Sequence, residues 1–177
     1  MRKLRITALI LVCLGLLIGG IGIGMCFVEA SSFTYRDTAR LNMTQEDTAT
    51  LPISLEDDQR LLSYGVIGDF VLKENLSVQL LEDKEVPAGT LQVEVDYRSV
   101  PGCDMDLYWF DYGEGGIHVN IAPYVRVEAL MNAKDQILSD IKNRRIGEYQ
   151  FAEITDVTFT INPADRGKIE LAQNMSS

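Results

Sequence analysis

An uncharged, apolar segment at Ile6–Val28 constrains this chain more than any other feature of its sequence. A helix needs about 20 apolar residues to cross the hydrocarbon core of a bilayer, which is about 30 Å thick, and this segment is long enough. Three of the first five residues are basic, and basic flanks stay on the cytoplasmic side of a membrane. The sequence therefore predicts an N-terminal membrane anchor over residues 1–30, with a single transmembrane helix. The N-terminus lies in the cytoplasm, and the remaining chain lies outside the cell membrane.

A cleavable signal peptide is the alternative interpretation of this segment. Such a peptide has a basic start, an apolar region of about 7–15 residues and small residues at the cleavage site. The tripeptide Val28-Glu29-Ala30 provides an acceptable site, and cleavage after Ala30 would give a secreted protein. The apolar segment is longer than a signal peptide requires, so its length favours the uncleaved anchor.

Glycines within the predicted transmembrane helix allow helix–helix association. Two G-x-x-x-G spacings permit the close approach of two helices in lipid. Glycine is also common in membrane helices without any such role, so this association is one of two interpretations. The glycines concerned are Gly15, Gly19, Gly20 and Gly24.

The part of the chain outside the predicted anchor is strongly acidic. The whole chain has 16 basic and 26 acidic residues, and leaving out Arg2, Lys3, Arg5 and Glu29 gives a formal charge of −12 for residues 31–177. Such a surface repels phosphate backbones and anionic headgroups, so a nucleic acid is not expected as a partner.

Covalent modification is only weakly constrained by the sequence. Cys103 is the only cysteine after the apolar segment, so this part of the chain cannot form an internal disulfide. Three N-x-[ST] sequons, at Asn42, Asn75 and Asn174, would accept glycans only if the source is eukaryotic.

The remaining chain predicts a tether and one folded domain. Residues 31–53 are polar and lack an apolar period, which predicts a flexible tether. Residues 54–177 then form the extracytoplasmic domain. A short helix is expected from Ser54 to Gly65, because Ser54 and Asp57 resemble a capping box.

Strands dominate the predicted domain, which we expect to be α+β. The apolar residues Leu91, Val93 and Val95 alternate with polar ones, and this pattern is typical of a strand with one buried face. A helix over 125–146, ending before Gly147, is predicted to bury Leu130, Ile137 and Ile141. The expected fold is a two-layer domain in which this long helix packs on a mainly antiparallel sheet. The predicted strands lie at 69–73, 77–82, 90–98, 106–112, 116–122 and 151–162, with a short edge piece at 169–171.

Carboxylates are concentrated between Cys103 and Glu114. Hard cations such as calcium bind six to eight oxygen ligands, and Asp-x-Asp is a common source of some of them. The spacing does not match an EF-hand loop, so a solvated strand edge explains the same residues. The residues that would form a calcium site are Asp104, Asp106, Asp111 and Glu114.

The same segment predicts a binding surface made of Tyr108, Trp109 and Tyr112. No known catalytic motif is present, and His118, the only histidine, is expected to face outward from a strand. A Cys103–His118 pair across the predicted hairpin is conceivable, but the spacing does not require it. The sequence thus favours an anchored, non-catalytic module that binds a protein or an envelope component. A cation-stabilised domain and an enzyme built on these acids or on His118 remain the alternatives.

Overall fold

The computed structural model describes most of the region that follows the predicted anchor. Within this region, no helix is both long enough and apolar enough to cross a bilayer. The predicted transmembrane helix and its glycines lie outside the described residues, as do Glu114, Asn75 and Asn174. The described residues are 29–55, 60–68, 70–72, 76–112 and 116–172.

Strands form most of this structure, together with one α-helix and one 3-10 helix. Eight strands precede the helix: β1 (Thr34–Arg40), β2 (Gln45–Ser54), β3 (Arg60–Val66), β4 (Val71–Leu72), β5 (Ser77–Glu82), β6 (Thr90–Ser99), β7 (Cys103–Asp111) and β8 (Ile117–Val125). The helix α1 (Val127–Lys142) is followed by β9 (Arg145–Gln150), β10 (Ala152–Ile161), the 3-10 helix Pro163–Lys168 and β11 (Ile169–Leu171).

The strands form two main sheets and a separate two-stranded ladder. Sheet I has the order β2-β6-β10-β4, with β5 also paired to β10, and sheet II has the order β11-β3-β8-β7. The ladder joins β1 to β9. Parallel pairing occurs in the ladder, between β10 and both β4 and β5, and between β3 and both β8 and β11. The three antiparallel pairs, β2–β6, β6–β10 and β7–β8, are the longest and join more residues than the five parallel pairs, so pairing is mainly antiparallel, as predicted, but the sheets are mixed.

The hydrophobic core lies between the two main sheets. Leu91, Val93 and Val95 are buried, as the alternation predicts, on the face of β6 that is turned toward sheet II. Across the interface, the rings of Tyr64 in β3 and Phe159 in β10 lie 6.2 Å apart between their centroids. The domain is α+β, as expected, but the layer that covers the first sheet is a second sheet and not the helix.

The helix α1 attaches to the domain by a face that was not predicted. Its buried residues are Ala129 and Ala133, whereas Leu130 and Ile141 are 48 % and 44 % exposed. Ile137 is only partly buried against the core. The predicted burial of Leu130 and Ile141 was wrong, since small side chains mediate the closest contact of this helix.

The helix also ends earlier than its sequence pattern predicts. Arg144 has a φ of 56°, in the left-handed region, and its N–H donates a hydrogen bond to the carbonyl of Ile141. This arrangement closes a helix C-terminus, where glycine is the usual residue. Residues 145 and 146, which were included in the predicted helix, belong to β9, and Gly147 lies within that strand.

Two further segments expected to be irregular or helical are strands. Residues 31–53 include β1 and β2, so most of the predicted tether belongs to the folded domain. Strand β2 pairs with β6 over its whole length and places Ala49, Leu51 and Ile53 opposite the inward-facing residues of β6. The second half of the helix predicted between Ser54 and Gly65 is β3, which lies within sheet II.

Candidate functional site

The hairpin of β7 and β8 arranges the residues that the sequence singled out. Its antiparallel register sets Tyr108 opposite Asn120 and Phe110 opposite His118. Successive side chains of a strand point to opposite faces, so these four residues share one face of the hairpin. The buried residues Val119 and Ile121 occupy the other face, toward the core. The outer face of sheet II therefore carries Tyr108 and Phe110, while Trp109 lies on the core side of β7.

Aromatic rings follow one another along this outer face. The ring centroids of Tyr108 and Phe110 lie 5.7 Å apart, and those of Phe110 and Tyr112 lie 6.3 Å apart. The Tyr112 ring lies 6.4 Å from that of His118, which closes the row on the neighbouring strand. Tyr108, Phe110 and Tyr112 are between 38 % and 63 % exposed. We call these four residues the aromatic row.

Polar side chains border the aromatic row on the side of β3. The Ser63 hydroxyl lies 2.8 Å from Nδ1 of His118, within hydrogen-bond distance, and 3.3 Å from the carbonyl oxygen of Ile117. Asn120 is buried beside them. A Cβ atom on Gly65 would lie only 3.1 Å from Nε2 of His118, so glycine leaves the space that this ring occupies. His118 points outward as predicted, but it is held and partly covered by β3.

The Ser63–His118 contact has one element of a nucleophilic site and lacks others. A serine nucleophile needs a base within hydrogen-bond reach, and the base is usually oriented by a third group. In the described part of the chain, Nε2 of His118 has no hydrogen-bond partner. The contact therefore serves as a cross-strand hydrogen bond that fixes the position of the imidazole ring.

Cys103 does not take part in this site. It pairs with Val125 at the opposite end of the hairpin, seven positions along β7 from Phe110, which is about 23 Å at the usual rise per residue. The thiol is fully buried on the core side, and burial raises its pKa to about 11. A Cys103–His118 pair, which the sequence left open, does not form.

The predicted calcium ligands do not converge in the described part of the chain. Asp104 forms an ion pair with Arg126 at 2.5 Å, and Asp111 pairs with Arg60 at 3.0 Å. By their positions in β7, Asp104 and Asp106 lie on the outer face of the strand, while Asp111 lies on the opposite face. Among the described residues, no group of three or more His, Cys, Asp or Glu side chains could hold a metal ion. A calcium site that includes Glu114 stays a prediction.

Two residues of the site were missed from the sequence. Phe110 was overlooked because neighbouring aromatics were grouped by their position in the chain, although strict alternation along β7 selects Phe110 and excludes Trp109. Ser63 was missed because its segment was interpreted as a helix. Only the parallel pairing of β3 with β8 brings Ser63 next to His118, and no local pattern encodes that pairing.

The outer face of sheet II offers ring faces, a fixed imidazole and an amide to a ligand. Aromatic rings provide large apolar contact areas, and tyrosine hydroxyl groups add hydrogen bonds at their edges. In comparisons with known proteins, the chain matches no protein-family model, no curated protein and no solved structure.

Proposed function

We propose that this protein is a membrane-anchored, extracytoplasmic binding module without catalytic activity. Its ligand is a partner protein or another component of the cell envelope, and it binds on the outer face of sheet II. The observation that carries this proposal is the aromatic row, Tyr108, Phe110, Tyr112 and His118, whose rings lie in contact on a solvent-exposed sheet face.

The exposure of these rings is costly unless a partner covers them. Burial of a phenylalanine side chain contributes about 1.5–3 kcal/mol, so an exposed ring forgoes much of that stabilisation. Contiguous apolar patches on soluble domains mark interaction sites, and aromatic residues dominate the binding energy of interfaces. The aromatic row therefore supplies the central contact of the proposed interface.

The position of β7 favours a protein ligand. In the part of the chain that the structure describes, it is the last strand of sheet II, so one of its edges carries no further strand of that sheet. Edge strands are usually protected by charges, proline or bulges, because another chain can pair with them. Here the central residues are Tyr108, Trp109 and Phe110, which expose rings on both faces of the strand. An extended segment of a partner can add to this edge and contact the rings.

The anchor is the second part of the proposal, and it is supported by the sequence. The apolar segment Ile6–Val28 ends directly before the first described residue, Glu29. Because β1 begins at Thr34, only a few residues separate this segment from the folded domain. A mature N-terminus at Ser31 on the native protein would contradict the anchor and favour the secreted alternative.

Site-specific photo-crosslinking in native membranes tests the binding face. The full-length chain carries benzoylphenylalanine at position 110, and a control chain carries it at position 81, where Leu81 is also exposed but lies on β5. We expect a discrete adduct from position 110 only, and its mass identifies the partner as a protein or a glycan. The double variant Tyr108→Ala/Phe110→Ala, with a crosslinker at position 112, should lose the adduct while its melting temperature stays close to that of the parent.

Two outcomes would contradict this assignment. One is an adduct of equal yield from positions 81 and 110, which would indicate non-specific contact. The other is an adduct at position 112 that persists in the double variant, because the rings of Tyr108 and Phe110 would then contribute nothing to binding.

A further inference from the structure

The end of helix α1 carries a second exposed surface with a different character from the aromatic row. Its apolar members are between 42 % and 46 % exposed, and three basic residues lie among them. Positions 138–147 hold three basic residues and one acidic residue, Asp140, although the domain as a whole is strongly acidic. We call this surface the basic–apolar patch; it consists of Leu138, Ile141, Lys142, Arg144, Arg145 and Ile146.

The chain enters the folded domain beside this patch. Residues 29–31 form a helical turn, and the N–H of Thr34 then donates a hydrogen bond of 2.7 Å to the carbonyl of Arg144. Thr34 also stands opposite Arg145 in the β1–β9 ladder. The path from Glu29 to Thr34 covers at most about 13 Å at the usual rises of helix and strand. The patch is thus fixed close to the end of the apolar segment Ile6–Val28.

Within the patch, Arg144 adopts a backbone conformation that normally favours glycine. Arg144 is the only non-glycine residue with a positive φ among the described residues. The left-handed conformation is sterically unfavourable for a residue with a Cβ atom. Residues kept in such conformations cluster at functional sites. Here the conformation closes the helix and leaves the Arg144 side chain exposed between Lys142 and Arg145.

We propose that the basic–apolar patch docks on the bilayer that holds the chain's own N-terminal segment, where it contacts anionic phospholipid headgroups. This inference rests on the membrane anchor of the proposed function. Exposed leucine and isoleucine side chains enter the boundary between headgroups and acyl chains, and basic residues beside them attract anionic lipids. Docking would hold the domain in one orientation on the membrane and leave the aromatic row for a partner.

Fluorescence quenching by lipids tests the docking in the full-length chain. All variants carry Cys13→Ala and Cys26→Ala, and the buried Cys103, whose pKa is raised, stays unlabelled at neutral pH. A nitrobenzoxadiazole label is placed through Ile141→Cys, or through Leu81→Cys as the matched control. Leu81 is equally exposed but pairs with Thr160, near the far end of β10. The chains are reconstituted in phosphatidylcholine vesicles with or without phosphatidylglycerol, and nitroxide lipids serve as quenchers.

We expect several-fold stronger quenching at position 141 than at position 81. The difference should shrink when phosphatidylglycerol is omitted or when Lys142, Arg144 and Arg145 are replaced by glutamine. Equal quenching at the two positions, in chains that float with the vesicles, would overturn the docking and leave the anchor intact. Chains that do not float with the vesicles would overturn the anchor and the docking together. A label at position 141 that is shielded from water but not quenched by the nitroxide lipids would indicate a second copy of the chain on the patch. This result would also overturn the docking.

Discussion

The strand β6 and the helix α1 were predicted from equally regular apolar patterns, yet only one of them buries its apolar residues as expected. In β6, Leu91, Val93 and Val95 are fully buried. In α1, the apolar stripe is largely exposed, and the buried residues are Ala129 and Ala133. A strand in a sandwich has two faces, so alternation identifies the inner one without further information. A helix can rotate about its axis, and its orientation depends on what it contacts.

Polar bonds and close backbone approach determine the orientation of α1. The side-chain amide of Asn132 donates to the carbonyl of Pro101, and that of Gln136 donates to the carbonyl of Arg40. Gln136 also accepts a hydrogen bond from the N–H of Asn42. A Cβ atom on Gly102 would lie 2.7 Å from the backbone nitrogen of Ala129, so the turn between β6 and β7 packs directly against the helix. Small and amide side chains therefore face the domain, and the large apolar ones face outward.

The largest difference between the two regions should appear on truncation of the core between the sheets. Phe159 is fully buried and contacts the ring of Tyr64. We expect Phe159→Ala to lower the free energy of unfolding by about 3–5 kcal/mol, because it removes a large side chain and leaves a cavity. Denaturant unfolding of the full-length chain in detergent, followed by the fluorescence of Trp109, measures this loss. A loss below about 1 kcal/mol would contradict the sandwich core.

The same contrast explains how much of the fold was predictable from the sequence. The pattern of β6 and the hairpin glycines predicted β6 to within one residue and β7 and β8 to within three, because period-two alternation is a local signal. The ladder of β1 with β9 and the pairing of β3 with β8 join segments far apart in the chain. No local pattern specifies such pairs, so β1 and β2 were interpreted as a tether and β3 as a helix. In the site, alternation was sufficient to find Phe110, whereas Ser63 required the tertiary structure.

A smaller effect is expected when the buried face of α1 is enlarged. Ala133 is buried within the hydrophobic core cluster. We expect Ala133→Leu to lower the free energy of unfolding by about 1–3 kcal/mol, because added methyl and methylene groups force the helix away from its contacts. Unfolding under the same conditions as for Phe159→Ala measures the change. A neutral or stabilising result would indicate that this face of the helix is not in close contact with the domain.

The smallest effect should follow from truncation on the outward face of the same helix. Leu130 is about half exposed, at the edge of an apolar groove of about 370 Å³ that it shares with Phe70 and Ile137. Full burial of a leucine contributes about 1.5–3 kcal/mol, and alanine has the higher helix propensity. We therefore expect Leu130→Ala to cost less than about 1 kcal/mol. Ala133→Leu is the matched control, because it enlarges a side chain about one turn away in the same helix, whereas Leu130→Ala shortens one. A loss of 2 kcal/mol or more for Leu130→Ala, together with a neutral Ala133→Leu, would show that the apolar stripe faces the domain after all, as its sequence pattern alone predicts.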